Sequence, residues 1–146
     1  MVDSSASSTQ FILFQLSSEW FVLPVEQIRG IERWRTPTPV PSTPAAIIGI
    51  INQRGALVTA IDVRVLLGFK SEAPSRRTRF LLGQTNGVDV ALLVDHVADM
   101  LPLDTAAIEL APASGSNLSS GLIPSPMGLA SILNLDAVLN MVTVAY

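Results

Sequence analysis

Four prolines, Pro37, Pro39, Pro41 and Pro44, stand inside residues 36–53, a stretch without a single charge. A run that long and apolar would otherwise suit a membrane-spanning helix. Each interior proline removes a backbone donor and clashes with the preceding turn, so no such helix passes through it. The Thr/Pro alternation of residues 35–44 favours extended backbone instead, a stiff connector that loses little conformational entropy on ordering. A second uncharged stretch, 110–135, is broken in the same way by Pro, Gly and Ser. Short extended segments are what this leaves.

Those segments can be placed one by one. Residues 11–16 are aromatic and branched, Ser17-Ser18 is a turn pair, and apolar residues resume with Trp20, Phe21, Val22 and Leu23, which predicts a hairpin. At Pro24 the second arm either bends or becomes a short exposed knuckle over 25–29. Residues 45–52 predict a strand apolar on both faces, Gln53-Arg54-Gly55 a turn, and 56–61 the returning strand, a hairpin expected at a shared core. Asp62 is expected to cap a helical turn over Val63–Leu67 that Gly68 ends in the left-handed region. A polar linker, 70–78, leads to a second hairpin, 79–84 with 88–97, joined at Asn86-Gly87. Residues 110–126 read as a long loop, 128–133 as a strand and 134–141 as a short amphipathic helix. Many short strands at regular spacing predict an all-β barrel or sandwich. At 146 residues the chain suits one compact domain or two small barrels sharing a core. Residues 1–9 read as a flexible polar tail ahead of a single domain expected over 10–146.

Chemistry has little to work with. With 49% hydrophobic and 14% charged residues, much apolar surface must be buried internally or against partners. A net charge of −3 argues against a nucleic-acid surface, and aromatic residues at 5% are too few for base-stacking platforms. The absence of cysteine removes disulfides, thiolate nucleophiles and cysteine zinc sites, and fits a cytoplasmic setting. His96 is the single histidine; with Asp95 and Asp99 beside it but no ligand spacing, it reads as structural, so no metal and no cofactor are expected. No glycine-rich phosphate loop or nucleophile elbow is present, and no enzyme is expected. Arg54, at the tip of an apolar hairpin, is either a solvated turn residue or a contact for an exposed groove. Val25 and Ile28 either form a small docking patch at the knuckle or pack into the core.

Residues 25–64 carry a family resemblance through Val25-Glu26-Gln27-Ile28-Arg29-Gly30, through Ile47-Ile48-Gly49-Ile50-Ile51, and above all through Asn52-Gln53-Arg54-Gly55 followed by Asp62-Val63-Arg64. The chain resembles the CheW-like domain, a family of coupling proteins between chemoreceptors and the histidine kinase CheA. Looser agreement over 88–97 and 133–139 extends the likeness to nearly the whole chain. The resemblance implies two intertwined five-stranded SH3-like β-barrels and a stand-alone, non-enzymatic adaptor at receptor arrays, without membrane insertion or nucleic-acid binding. It implies receptor-tip contacts at Val25, Gln27, Ile28, Asn52, Arg54 and Gly55. Contacts to the kinase regulatory domain are implied at a barrel end near Gly49 and Ile51. Where the family often has an acidic residue, Gln27 would offer Arg54 a neutral hydrogen bond, and Thr59 stands where a proline is common.

Overall fold

A hairpin opens the computed structural model, which describes residues 8–110 and 118–143. Its arms are β1 (Ser8–Leu16) and β2 (Glu19–Pro24), paired from Phe11↔Pro24 to Leu16↔Glu19. Ser8 and Thr9, read as tail from the sequence, already pair with Asp104 and Leu103. The ladder ends at Pro24, and Val25–Gln27 makes one 3-10 turn closed by the Ile28 N–H on the Val25 carbonyl. Of the two outcomes open at Pro24, the turn is the one found. It carries the chain into β3 (Ile28–Arg33), which belongs to a different sheet.

The middle of the chain builds that second sheet from β3, β4 (Ile47–Gln53), β5 (Ala56–Asp62), β6 (Arg79–Thr85) and β7 (Val88–Val94), in the order β3-β6-β7-β5-β4. Helix α1 (Val63–Leu67) follows β5. The chain then returns to the first sheet through β8 (His96–Asp104), β9 (Glu109–Leu110), β10 (Ser119–Ser125) and β11 (Gly128–Leu133), and closes with α2 (Leu135–Thr143). The first sheet runs β8-β1-β2-β11-β10-β9, with β10 lying against β8, so each sheet curls into a small barrel. In each barrel one parallel pair, β11 with β2 and β5 with β7, joins segments distant in sequence. Barrel 1 therefore contains both ends of the described chain and barrel 2 its middle. This is the expected intertwined, mostly β architecture; the first sheet counts a sixth strand through the two-residue β9.

Two expectations need correcting. Residues 88–97 are not one strand: β7 ends at Val94, Asp95 forms the corner, and β8 starts at His96 in the other sheet. The loop expected over 110–126 is a strand in its second half, with 111–117 outside the described residues. Gly121 and Ile123 face inward at a spacing of two. Pro124 is tolerated because β9 pairs only at Gly121 and Leu122, leaving that side of Pro124 unpaired.

Alternation along the strands feeds three apolar clusters. Ile51, Val58, Ala60, Phe80, Ala91 and Leu93 fill barrel 2, with Trp34 stacked on Phe80 at 5.4 Å. Phe11, Leu13, Val22, Leu103 and Ile123 fill barrel 1. The opposite faces of the same strands, including Phe14, Leu23, Ile61, Leu92 and Leu133, meet between the barrels under α2, which contributes Leu135, Val138 and Val142. β7 is covered on both faces, as its pattern requires. The β4–β5 hairpin is only half as buried as expected, since Leu57 is 73% exposed.

Candidate functional site

Gln53 and Ala56 flank a two-residue loop in which Arg54 has φ 53 and Gly55 φ 86, both in the left-handed region. That pair of values suits the twist of a tight hairpin, and glycine meets it without strain. Arg54 does not, and its backbone is held there by its neighbours. The Gly55 N–H donates to Asn52 Oδ1 at 2.9 Å, and Arg35 donates to the Asn52 carbonyl at 2.7 Å and to Gln53 Oε1 at 2.9 Å. Gln53 in turn donates to Glu32 Oε1 at 2.6 Å. Since β3 and β4 are the two edges of barrel 2, these bonds tie the edges together where no ladder does.

A groove of about 430 Å³ lies beside this tip, lined by apolar Val58, Leu82 and Val90 and by charged Arg29, Glu32, Arg54 and Asp89. Three of the four charges are committed within the chain. Arg29 donates to the Glu26 carbonyl at 2.9 Å and to Gln84 Oε1 at 3.0 Å, Gln84 donates to Asp89 at 2.7 Å, and Glu32 accepts from Gln53. The exposed guanidinium of Arg54 has no hydrogen-bond or ion-pair partner among the described residues. Arg29 also links this groove to the knuckle, a role that the sequence did not reveal. Its signal was there only as one arginine among alternating charges.

The structure sorts the other residues singled out from the sequence. Val25 and Ile28 are half-buried and pack on the inter-barrel core. The hydrogen bond expected between Gln27 and Arg54 is not formed. Ile51, read as a kinase contact, is 3% exposed and points into barrel 2, so it cannot touch a partner directly. Gly49 is likewise a packing position: the connector lies across it, with Thr38 and Ile50 exchanging two backbone hydrogen bonds of 2.8 Å each. Asn86 and Gly87, at φ 52 and 77, form the tight turn between β6 and β7. Beside Gly49 the same barrel end carries an apolar cavity of about 260 Å³ between Trp34, Pro37, Pro39, Ile48 and Pro74.

Asp62 and Gly68 cap α1 at its two ends. Asp62 Oδ1 accepts from the Arg64 N–H at 3.0 Å, and Gly68, at φ 76, returns its N–H to the carbonyls of Arg64 and Val65. Asp62 does more than cap. Arg64, 3% exposed, donates Nε to Asp62 Oδ1 at 2.9 Å and Nη1 to Asp95 Oδ1 at 2.7 Å. Asp95 Oδ2 then accepts from the Ser17 N–H of the β1–β2 turn at 2.6 Å. Burial disfavours the Arg64 charge, but hydrogen bonding and attraction by Asp62, with Asp95 and Glu72 behind it, raise its pKa above the ordinary value. One ion network thus bolts barrel 2 to barrel 1. The aspartate ending an apolar strand and the Asp-x-Arg spacing were visible in the sequence, but not that they meet.

Among the described residues no group of three or more potential metal ligands gathers, and no helix is long and apolar enough to cross a membrane.

Comparison with known proteins is consistent over most of the length. The chemotaxis protein CheW of Rhizobium meliloti is 29% identical over 88% of this chain and 86% of its own. That of Bacillus subtilis is 30% identical over 70% and 66%. Protein FrzA of Myxococcus xanthus is 27% identical over 78% and 71%. The crystal structure of the scaffolding protein TtCheW from Thermoanaerobacter tengcongensis superposes with a TM-score of 0.82 at 25% identity, covering 87% of this chain and 84% of that one. The family model of the CheW-like domain matches residues 10–143, nearly the whole chain, and the chain belongs to the CheW-like family.

Proposed function

We propose that the chain is a non-enzymatic scaffold of chemotaxis signalling that couples the cytoplasmic tip of a chemoreceptor to the regulatory domain of a CheA-type histidine kinase. It works in the cytoplasm and reaches the membrane through protein contacts. Family membership and the CheW relatives support the class of function. The observation that carries the site is Arg54, an uncommitted cation held at positive φ beside a groove whose other charges are spoken for. A backbone conformation that costs energy and serves no internal bond of its side chain points to an outward task. The receptor segment suited to it is helical, apolar along one face and acidic where it meets Arg54. The kinase contact falls at the barrel end with the Trp34 cavity, where exposed neighbours of Gly49, rather than Gly49 and Ile51 themselves, meet the partner.

Arg54→Asn separates structure from function. Asparagine-glycine is preferred in this turn, so stability rises by about 0.5–1 kcal/mol, read as a higher denaturation midpoint. Affinity for a receptor-tip fragment of the same genome, measured by calorimetry, falls about tenfold, with a weaker salt dependence than wild type. Unchanged affinity sinks this surface. The likeness to FrzA supports a second pathway as the alternative setting. Titration against each CheA-type kinase of that genome decides between them, and binding to none rejects the coupling role.

A further inference from the structure

Residues 70–78 leave α1 and return to β6, both in barrel 2, yet on the way they cross to barrel 1. Four side-chain bonds hold them across this path. Ser17 Oγ of barrel 1 donates to the Lys70 carbonyl at 3.4 Å, Ser71 Oγ donates to Asp62 Oδ2 at 2.8 Å, Arg64 Nη2 reaches the Glu72 carbonyl at 3.4 Å, and Arg77 Nε donates to His96 Nδ1 at 3.3 Å. The end near Arg77 is also folded on itself: the Thr78 N–H meets the Ser75 carbonyl, the Ser75 N–H meets Thr78 Oγ1 and the Arg77 N–H meets Ser75 Oγ. Between this segment and the barrels lies a cavity of about 570 Å³ at the seam, bounded by Ser17 and Glu19 of barrel 1 and Arg64 and Phe69 of barrel 2.

Two of the attachments go to the buried ion network. Ser17 ties the Lys70 end to barrel 1, and the tie of the Arg77 end to barrel 1 rests on one imidazole lone pair. His96 sits at the first position of β8, half-exposed, edge-on to Trp20 with ring centroids 6.4 Å apart. For Nδ1 to accept, the ring must be neutral with its proton on Nε2. A protonated ring has two donors and no acceptor, and places a second positive charge against the guanidinium of Arg77.

We propose that residues 70–78 are a proton-released strap: neutral His96 latches them across the seam between the barrels, and protonation of His96 frees the Arg77 end. The charged groups around His96 are Arg77, Lys70 and Glu72 in the strap, Arg79 at the start of β6, Glu19 in β2, Arg64 in α1, and Asp95 next to it in the chain. Asp95 is engaged by Arg64 and the Ser17 N–H, so it is not free to take over the imidazolium. Burial, then Arg77 and Arg79, hold the His96 pKa below its ordinary value. A folded pKa below the unfolded one means that the latch is whole above about pH 6.5 and is lost as pH falls through the lower folded value. The strap does not depend on the receptor and kinase reading.

Amide hydrogen exchange of the full chain, at about pH 7.5 and about pH 5.5 and corrected for the intrinsic rate, tests it. Protection of the Arg77 and Thr78 amides drops about tenfold on acidification, while Leu92 and Leu93 in β7 keep theirs. His96→Gln retains a neutral acceptor, so its strap stays protected at both pH values. Arg77→Ala loses that protection at both. Equal wild-type protection at the two pH values, or the same acid loss in His96→Gln, overturns the strap.

Discussion

Arg64→Ala lowers the free energy of unfolding by roughly 3–5 kcal/mol, followed by urea denaturation. The size of the effect comes from what is left behind. Asp62, 4% exposed, loses the guanidinium that meets both of its oxygens, at 2.9 Å from Nε and 3.1 Å from Nη2. A carboxylate stranded in a poorly solvated site costs far more than an exposed ion pair, which is worth about 1 kcal/mol or less. Asp95 loses its bond to barrel 2 in the same step, keeping only the Ser17 N–H on the barrel 1 side. The double variant Arg64→Ala/Asp62→Ala recovers part of the loss, because no buried charge then stands alone. A loss below about 1 kcal/mol in Arg64→Ala would show that water reaches the site and that the network does not bolt the barrels together.

Gly49→Ala is expected to cost roughly 2–4 kcal/mol, from overpacking and a strained backbone together. A Cβ at residue 49 would stand 2.4 Å from the Thr38 carbonyl oxygen and 2.9 Å from Pro37 Cβ, at φ 143. The carbonyl cannot rotate away, because it accepts the Ile50 N–H, so the connector must lift from β4. Gly55→Ala is the internal control: φ there is 86, but nothing lies within 4 Å of the added carbon. Its cost is the left-handed backbone alone, about 1 kcal/mol. Equal losses in the two variants would refute the close approach at Gly49. The larger loss shows Gly49 acting by fitting the proline connector to the barrel rather than by meeting the kinase.

Where a device is local, the sequence was legible. Asn86-Gly87 requires two residues at positive φ, which few dipeptides supply, and the hairpin is where that pair predicts it. Asp62 and Gly68 bracket α1 because capping involves groups within a turn of one another. Pro24 ended β2 because its ring and missing donor act at the residue itself. The errors came where a neighbour distant in sequence decides. Val88 to Val97 looks like one apolar strand, and nothing local says that Asp95 is a corner; its carboxylate finds Ser17 and Arg64 only after both barrels form. The 118–126 segment has the composition of a loop, and becomes a strand because β11 offers it a ladder.

The same division holds for the site. Arg54 and Gly55 were identifiable as a hairpin tip, since turn chemistry is written in consecutive residues. Which charges are satisfied is a question about pairs such as Arg29 with Gln84, 55 residues apart, and only the closed barrel answers it. Ile51 shows the limit most plainly. Its apolar side chain fits a partner surface or a core equally well in sequence, and the pleat of β4, by turning it into barrel 2, makes it core. By itself the sequence determined that this chain builds short strands, tight turns and proline connectors, because those follow from backbone sterics within a few residues. The tertiary structure decided which sheet each strand joins, which carboxylates meet Arg64 and which charge of the groove is left free, because those depend on long-range register and burial.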